Sequence, residues 1–275
     1  MGLRKKIRKY LYTWKFKNKK ILNLNYSGKS IFITGANSGI GLELTKKFLN
    51  LNNKVFVTYR NNSENLDKIN SKNLTLIKCD QKNLSEIENI KKEITNIPIN
   101  LLINSAGIFG PPEQKLETLN FNEFQDTLMV NSLSGLKITQ LILNEAKKDT
   151  LEMIVNISSD AGSMSKNNQG NAYIYRTSKS ALNSITKNMS IDLFNRYNII
   201  VFAIDPGNVK SGMNPGGMIE TTVCADLIIN LITFHGKELN GKFVLLLSHS
   251  KFITNCCFLC ARRSRLEILS PLLKK

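Results

Sequence analysis

No stretch of this 275-residue chain reaches the 18 or more uncharged apolar residues that a membrane-crossing helix needs, so no spanning segment is expected. Acid is scarce, with 21 Asp and Glu against 38 Lys and Arg, a formal net charge of +17. Five cysteines, an odd number with Cys79 and Cys224 isolated, do not make a disulfide framework and fit a reducing compartment. Histidine is scarcer still. Cys257 and Cys260 have CxxC spacing beside Cys256, but a zinc site needs two more ligands, and only His235 and His249 exist, so no metal is expected.

The missing acid has a location. No Asp or Glu precedes Glu43, and nine of the first twenty residues are basic, so much of the excess charge sits in an N-terminal arm, residues 1–27. Clustered Lys and Arg attract phosphate over long distances. Here the Asn, Lys and Ile richness, which an AT-rich coding bias would also produce, removes that argument, and no nucleic-acid partner is expected. Three readings of the arm stay open: a solvated arm, an amphipathic helix on an anionic membrane surface, or a targeting peptide. Lys6 stands where N-myristoylation requires Ser or Thr, so lipidation is not expected. A cytoplasmic location, with weak peripheral membrane contact through the arm as a variant of it, follows.

From Lys29 the chain alternates. Short aliphatic runs at 30–34, 54–58, 74–79, 99–104, 152–157, 199–204 and 242–247 are separated by segments of helical period near 40–50, 84–95, 118–147, 173–196 and 219–234. Strands without polar alternation, joined by helices, predict an α/β fold in which both faces of a parallel sheet are covered. The length allows one such domain with tails. The expectation is a Rossmann-type doubly wound seven-stranded parallel sheet, a single domain over 28–247, with a basic arm before it and an atypical basic, Cys-containing tail over 248–275.

The first strand runs into Thr34-Gly35-Ala36-Asn37-Ser38-Gly39-Ile40-Gly41 and then a helical segment. Glycines there permit a tight turn and a close main-chain approach to a pyrophosphate at the positive end of the helix. This TGxxxGxG turn resembles that of the short-chain dehydrogenase/reductase family, and Asn104-Ser105-Ala106-Gly107 is similar to the family's Asn-Asn-Ala-Gly segment, with Ser105 in place of the second asparagine. The resemblance implies cofactor contacts at Gly35, Asn37, Ser38, Gly39, Ile40, Gly41, Asn104, Ala106 and Gly107. At the end of the second strand, folds selective for NAD place an acid on the ribose 2′-hydroxyl. Val57-Thr58-Tyr59-Arg60-Asn61 has none, and Arg60 suits a 2′-phosphate, so NADP(H) is expected over NAD(H). Asp80 matches the family acid that meets the adenine.

The segment Tyr175-Arg176-Thr177-Ser178-Lys179 is a YxxxK motif, and four residues is about one helical turn, so both side chains project from one face. Carbonyl reduction needs an acid that protonates the developing alkoxide, and an ammonium nearby lowers a phenol's pKa toward working pH. Tyr173 has Thr177, not Lys, four residues on, which leaves Tyr175 as the acid/base and Lys179 as its partner. The family resemblance adds a serine at the end of the fifth strand that holds the substrate oxygen, Ser159 with Ser158 as the alternative. It adds Asn131 as support for a proton relay, and Pro206, Gly207, Val209 and Ser211 in a turn that holds the carboxamide, where Ser211 replaces threonine. Tyr175 and Lys179 also meet the cofactor in the family. The runs SSDAGS, YIYRTSKSALN and PGNVKSGMNPGG are most similar to bacterial C-factor-like members.

Together these imply an oxidoreductase that moves hydride between NADP(H) and a small-molecule carbonyl or alcohol, assembled as a homodimer or homotetramer. A signalling or sensor protein that binds NAD(P) with little turnover is the rival. Beyond Leu247 the family pattern stops. Residues 248–275 hold three of the five cysteines and a single acid, Glu267, and read either as a basic membrane-facing tail or as a segment foreign to the original gene.

Overall fold

A computed structural model describes residues 26–246 and 254–255. The readings of the arm, save Tyr26 and Ser27, and of the tail, save Thr254 and Asn255, lie outside the described residues, as do Cys256, Cys257 and Cys260.

Seven parallel strands form the sheet: β1 (Ser30–Thr34), β2 (Lys54–Tyr59), β3 (Leu74–Lys78), β4 (Leu101–Asn104), β5 (Met153–Ile157), β6 (Ile200–Asp205) and β7 (Phe243–Leu245). Their order is β3-β2-β1-β4-β5-β6-β7, the doubly wound arrangement expected. An eighth strand, β8 (Thr254–Asn255), was not foreseen; it adds antiparallel to β7 through Phe243 and Val244. A two-residue strand carries no alternation for a sequence pattern to show.

Alternate residues of each strand enter different cores. Ile31 and Ile33 pack with Leu44 and Phe48 of α1 (Gly39–Asn50) and with Ile228 and Ile232 of α8 (Thr221–His235). Phe32, Leu102 and Ile154 face the other way. They meet Ile87 of α3 (Leu84–Asn89), Ile94 of α4 (Lys91–Ile94), Ile138 of α6 (Ser134–Glu145) and Met189 of α7 (Tyr173–Tyr197). All of these but Ile232, at 3%, and Met189, at 7%, are fully buried, and each such side chain contributes about 1.5–3 kcal/mol. This double burial is why the strands read as unbroken apolar runs.

The helix expected at 84–95 is two short ones, divided at Ile90, and a further short helix, α2 (Glu64–Asp67), has no periodic signal. The long segment 118–147 is also interrupted. Asn120 caps α5 (Phe121–Leu128), accepting from the amides of Asn122 and Glu123 at 3.0 and 3.2 Å, and a π turn over Met129–Leu133 separates α5 from α6. Such turns are frequent at functional sites. This one carries Asn131.

Candidate active site

Between β1 and β4 the strand order reverses, which opens a crevice at the carboxyl ends of the strands. A cleft of about 810 Å³ occupies it. On one side is the turn Gly35–Gly41. Gly35 has φ +67° and packs so closely on the β4 loop that a Cβ would sit 2.6 Å from Ala106 Cα. At Gly41 a Cβ would lie 2.5 Å from the Gly35 carbonyl oxygen. Two threonines clamp the turn. Thr34 Oγ1 accepts from the amides of Ser105 and Ala106, both at 3.0 Å, and Thr58 Oγ1 accepts from Gly35 N at 3.2 Å.

This turn fits a nucleotide phosphate. Ser38 precedes α1 without a side-chain cap and no acid occupies the first turn, so among the described residues no side chain caps the first α1 amides, which border the cleft. Asn37, Ser38, Gly39 and Ile40 line the cleft here, as does Arg60, the residue after β2. Across it, Ser211 approaches Gly39, at 3.9 Å from a built Cβ, with Pro206, Gly207 and Val209 along the same wall. Ala106 and Gly107 form the floor, and Gly107 leaves open the space beside Lys179 Nζ that a side chain would fill.

Two expected contacts do not line the cleft. Asn104 falls on the strand face that looks toward α6: its Nδ2 donates to Asn156 Oδ1 at 2.8 Å, its amide group packs on Gly135, and its Oδ1 has no partner among the described residues. It ties β4 to β5 instead. The Asp80 side chain folds back to accept from Lys82 N at 3.1 Å, while its neighbours Cys79 and Gln81 line the cleft.

At the other end of the cleft stand Ser159, Tyr175 and Lys179. The pleat of β5 separates the two serines. Ser158, on the face of Ile154 and Asn156, is buried and donates to Asn183 Oδ1 on α7 at 2.6 Å, whereas the next residue, Ser159, is at the open side. Ser159 also interacts with Tyr175. Tyr175 and Lys179 sit one turn apart on α7, and Lys179 Nζ is 5.8 Å from the Tyr175 ring centre. Tyr173 is exposed and outside the cleft. Asn131 is buried in the π turn, exchanging hydrogen bonds with Ile108 N and O at 2.8 and 2.9 Å and donating to Ser178 Oγ at 2.9 Å. It thereby joins the β4 loop to α7.

Burial pushes the Tyr175 phenol up to about 12, the Ser159 hydroxyl opposes this, and Asp205 and Asp160 add to it. The Lys179 ammonium donates to the Ile157 carbonyl at 3.0 Å. Burial pushes Lys179 itself down to about 8, with Asp205 acting against that. The protein by itself therefore holds a protonated phenol over a protonated amine at neutral pH.

Gln114 gives no sequence signal, yet it is buried and organises this corner. Its Oε1 accepts from Tyr175 N at 3.0 Å, and its Nε2 donates to Phe109 and Pro111 carbonyls at 2.9 and 3.0 Å. The Phe109 ring thereby lies 5.0 Å from the Tyr175 ring. Gln114→Leu strands a buried donor and two carbonyls, and an unmade buried bond costs about 1–3 kcal/mol. Thermal unfolding of this variant should show a Tm lower by several degrees; an unchanged Tm would refute the role.

A nucleotide-sized crevice at the switch point, with a tyrosine and lysine at its far end, defines a dinucleotide-dependent oxidoreductase. The short chain dehydrogenase family model matches residues 29–217, and the chain belongs to the short-chain dehydrogenase/reductase family of oxidoreductases. Among relatives, it is 30% identical over 149 residues to C-signal of Myxococcus xanthus, covering 53% of this chain and 87% of that protein. It is 30% identical over 197 residues to the 3-oxoacyl-[acyl-carrier-protein] reductase FabG of Rickettsia prowazekii, covering 69% and 76%. The carbonyl reductase Sniffer of D. melanogaster superposes with a TM-score of 0.73 at 31% identity, covering 79% of this chain and 96% of that one. An NADPH-bound carbonyl reductase from chicken fatty liver gives 0.69 at 27%, with the same coverage.

Proposed function

We propose that this protein is an NADP(H)-dependent reductase of small-molecule carbonyls, running in reverse as an alcohol dehydrogenase. The observation that carries the reading is the convergence of Ser159, Tyr175 and Lys179 at one end of the cleft whose other end is the uncapped α1. When bound there, the nicotinamide supplies the hydride. Ser159 orients the substrate oxygen, and Tyr175 delivers the proton to it. The buried phenol keeps its proton through neutral pH, so the acid form that reduction needs is present, and a nearby cation that lowers its pKa would strengthen it as a donor. Lys179 would hold the nicotinamide ribose, and Asn131 would anchor the relay that returns the proton to the amine. The Phe109 ring beside Tyr175 gives the substrate an apolar wall.

NADP(H) over NAD(H) rests on Arg60, which lines the α1 end of the cleft with no acid in its vicinity on β2. The carbonyl reductase from chicken fatty liver is bound to NADPH, which agrees in kind. Isothermal titration of NADPH and NADH, followed by turnover on a carbonyl panel, tests the reading. Arg60→Ala should weaken NADPH about tenfold, the scale of one charge-assisted contact to phosphate, and leave NADH nearly unchanged. Equal weakening of both would remove the NADP assignment, and binding without turnover on any carbonyl would return the sensor reading.

The domain over 28–247 carries this activity, with the arm 1–27 and tail 248–275 as appendages. No helix among the described residues is long and apolar enough to cross a membrane. A cytoplasmic protein with weak peripheral contact through the arm suits this reading. Leu133, Leu136, Ile191 and Phe194 are large apolar side chains left exposed on the π turn, α6 and α7, and a second copy of this chain is the occupant proposed for them.

A further inference from the structure

Asp205, the last residue of β6, belongs to none of the motifs above, yet it is 4% exposed and lines the cleft in company with Tyr175 and Lys179. Its Oδ1 accepts from Gly207 N at 2.9 Å, and the Asp160 amide also bonds its carboxylate. Gly207 belongs to the turn after β6 and Asp160 follows Ser159. One buried carboxylate thus fastens the serine loop to the turn expected to meet the nicotinamide.

We propose that Asp205 is a positioning residue that ties the Ser159 loop to the Pro206–Gly207 turn, and that its negative charge favours the cationic oxidised nicotinamide over the neutral reduced form. This rests on the functional reading above. A chain that needed only a hydrogen-bond acceptor for Gly207 N would be served by Asn. A carboxylate differs by its charge, and the two redox forms of the cofactor differ by one unit of charge at the ring, so the interaction is differential. Every charged or titratable group facing Asp205 has a place in this balance. Asp160 and Lys166 flank it from the loop after β5, Tyr175 and Lys179 face it from α7, and Cys224 faces it from α8. Burial lifts the carboxyl to about 6 against the pull of the Gly207 and Asp160 amides and of Lys166, so it is ionised at neutral pH and protonated in mild acid.

The test is calorimetric titration of the full chain with NADP⁺ and with NADPH, in wild type and Asp205→Asn, near pH 5.5 and near pH 7.5, on either side of about 6. The phosphates are common to both forms, so the ratio of the two affinities isolates the ring. In wild type the preference for NADP⁺ should rise about threefold from the lower to the higher pH, as a roughly tenfold charge effect switches on. In Asp205→Asn the ratio should be flat with pH and about tenfold lower near pH 7.5. A wild-type ratio flat with pH overturns the proposal even if the variant does not fold. Wild type that binds neither form overturns the functional reading beneath it instead.

Discussion

Tyr175→Phe is expected to lower kcat/KM on any accepted carbonyl by about 10²- to 10⁴-fold, the contribution of a positioned proton donor. Affinity for NADPH should stay within about twofold, because the cofactor contacts expected of α1 and the Pro206–Gly207 turn are untouched. The substitution keeps the ring beside Phe109, so folding is not at issue. In wild type, reduction should fall as pH rises through the pKa of the phenol, because only its acid form donates; with the phenol pushed up to about 12, this limb lies at strongly alkaline pH unless bound cofactor brings it down. Steady-state NADPH oxidation measured across pH checks both statements. If the variant consumes NADPH as fast as wild type, Tyr175 is not the donor.

Lys179→Met should separate stability from activity. The ammonium is buried with a single hydrogen-bond acceptor, and burial holds it near 8 against an ordinary 10.5. A shift of that size corresponds to roughly 3 kcal/mol of penalty on the charged folded state. Met matches the length of the side chain but abandons the Ile157 carbonyl, which costs about 1 kcal/mol, so a net gain of about 2 kcal/mol near pH 7 is expected. The sign follows from proton uptake. Between about 8 and 10 the unfolded chain holds a proton that the folded chain has released, so wild-type stability rises with pH there, and the variant should lack this rise. Above 10 the raised pKa of Tyr175 works in the opposite direction, since the folded chain then retains the proton. Activity should fall by about 10²-fold or more, because Lys179 is the group expected to hold the ribose and feed the relay. Chemical denaturation at several pH values reads the first effect and turnover the second. A destabilised variant at pH 7 would show that the Ile157 contact outweighs the buried charge.

Much of the site was legible in the chain because it is built from local motifs. Gly35 to Gly41 is a turn whose glycines answer to backbone constraints inside a few residues, and Tyr175 and Lys179 are one helical turn apart, so spacing alone aligns them. The sequence favoured Ser159 with Ser158 as the alternative, and in the fold the pleat of β5 sends the Ser158 hydroxyl to Asn183. The same alternation turns Asn104 to Asn156 and away from the cleft. Gln114, Thr58 and Asp205 act through partners 61, 23 and 2 residues away. Two of those partnerships are distant in sequence and have no period to betray them, and the third matters only because β6 ends beside the serine loop.

The charge at the catalytic corner shows the division most sharply. The sequence alone determined that a phenol and an amine share a helix face and that a helix N-terminus follows a glycine turn, because these are consequences of covalent geometry and local hydrogen bonding. It implied a phenol acidified by its lysine. Only the tertiary structure adds the burial that raises the phenol and lowers the amine, and the Asp205 carboxylate that raises both. Solvation and long-range charge depend on what the rest of the chain brings near, and that is not written in the spacing of Tyr175 and Lys179.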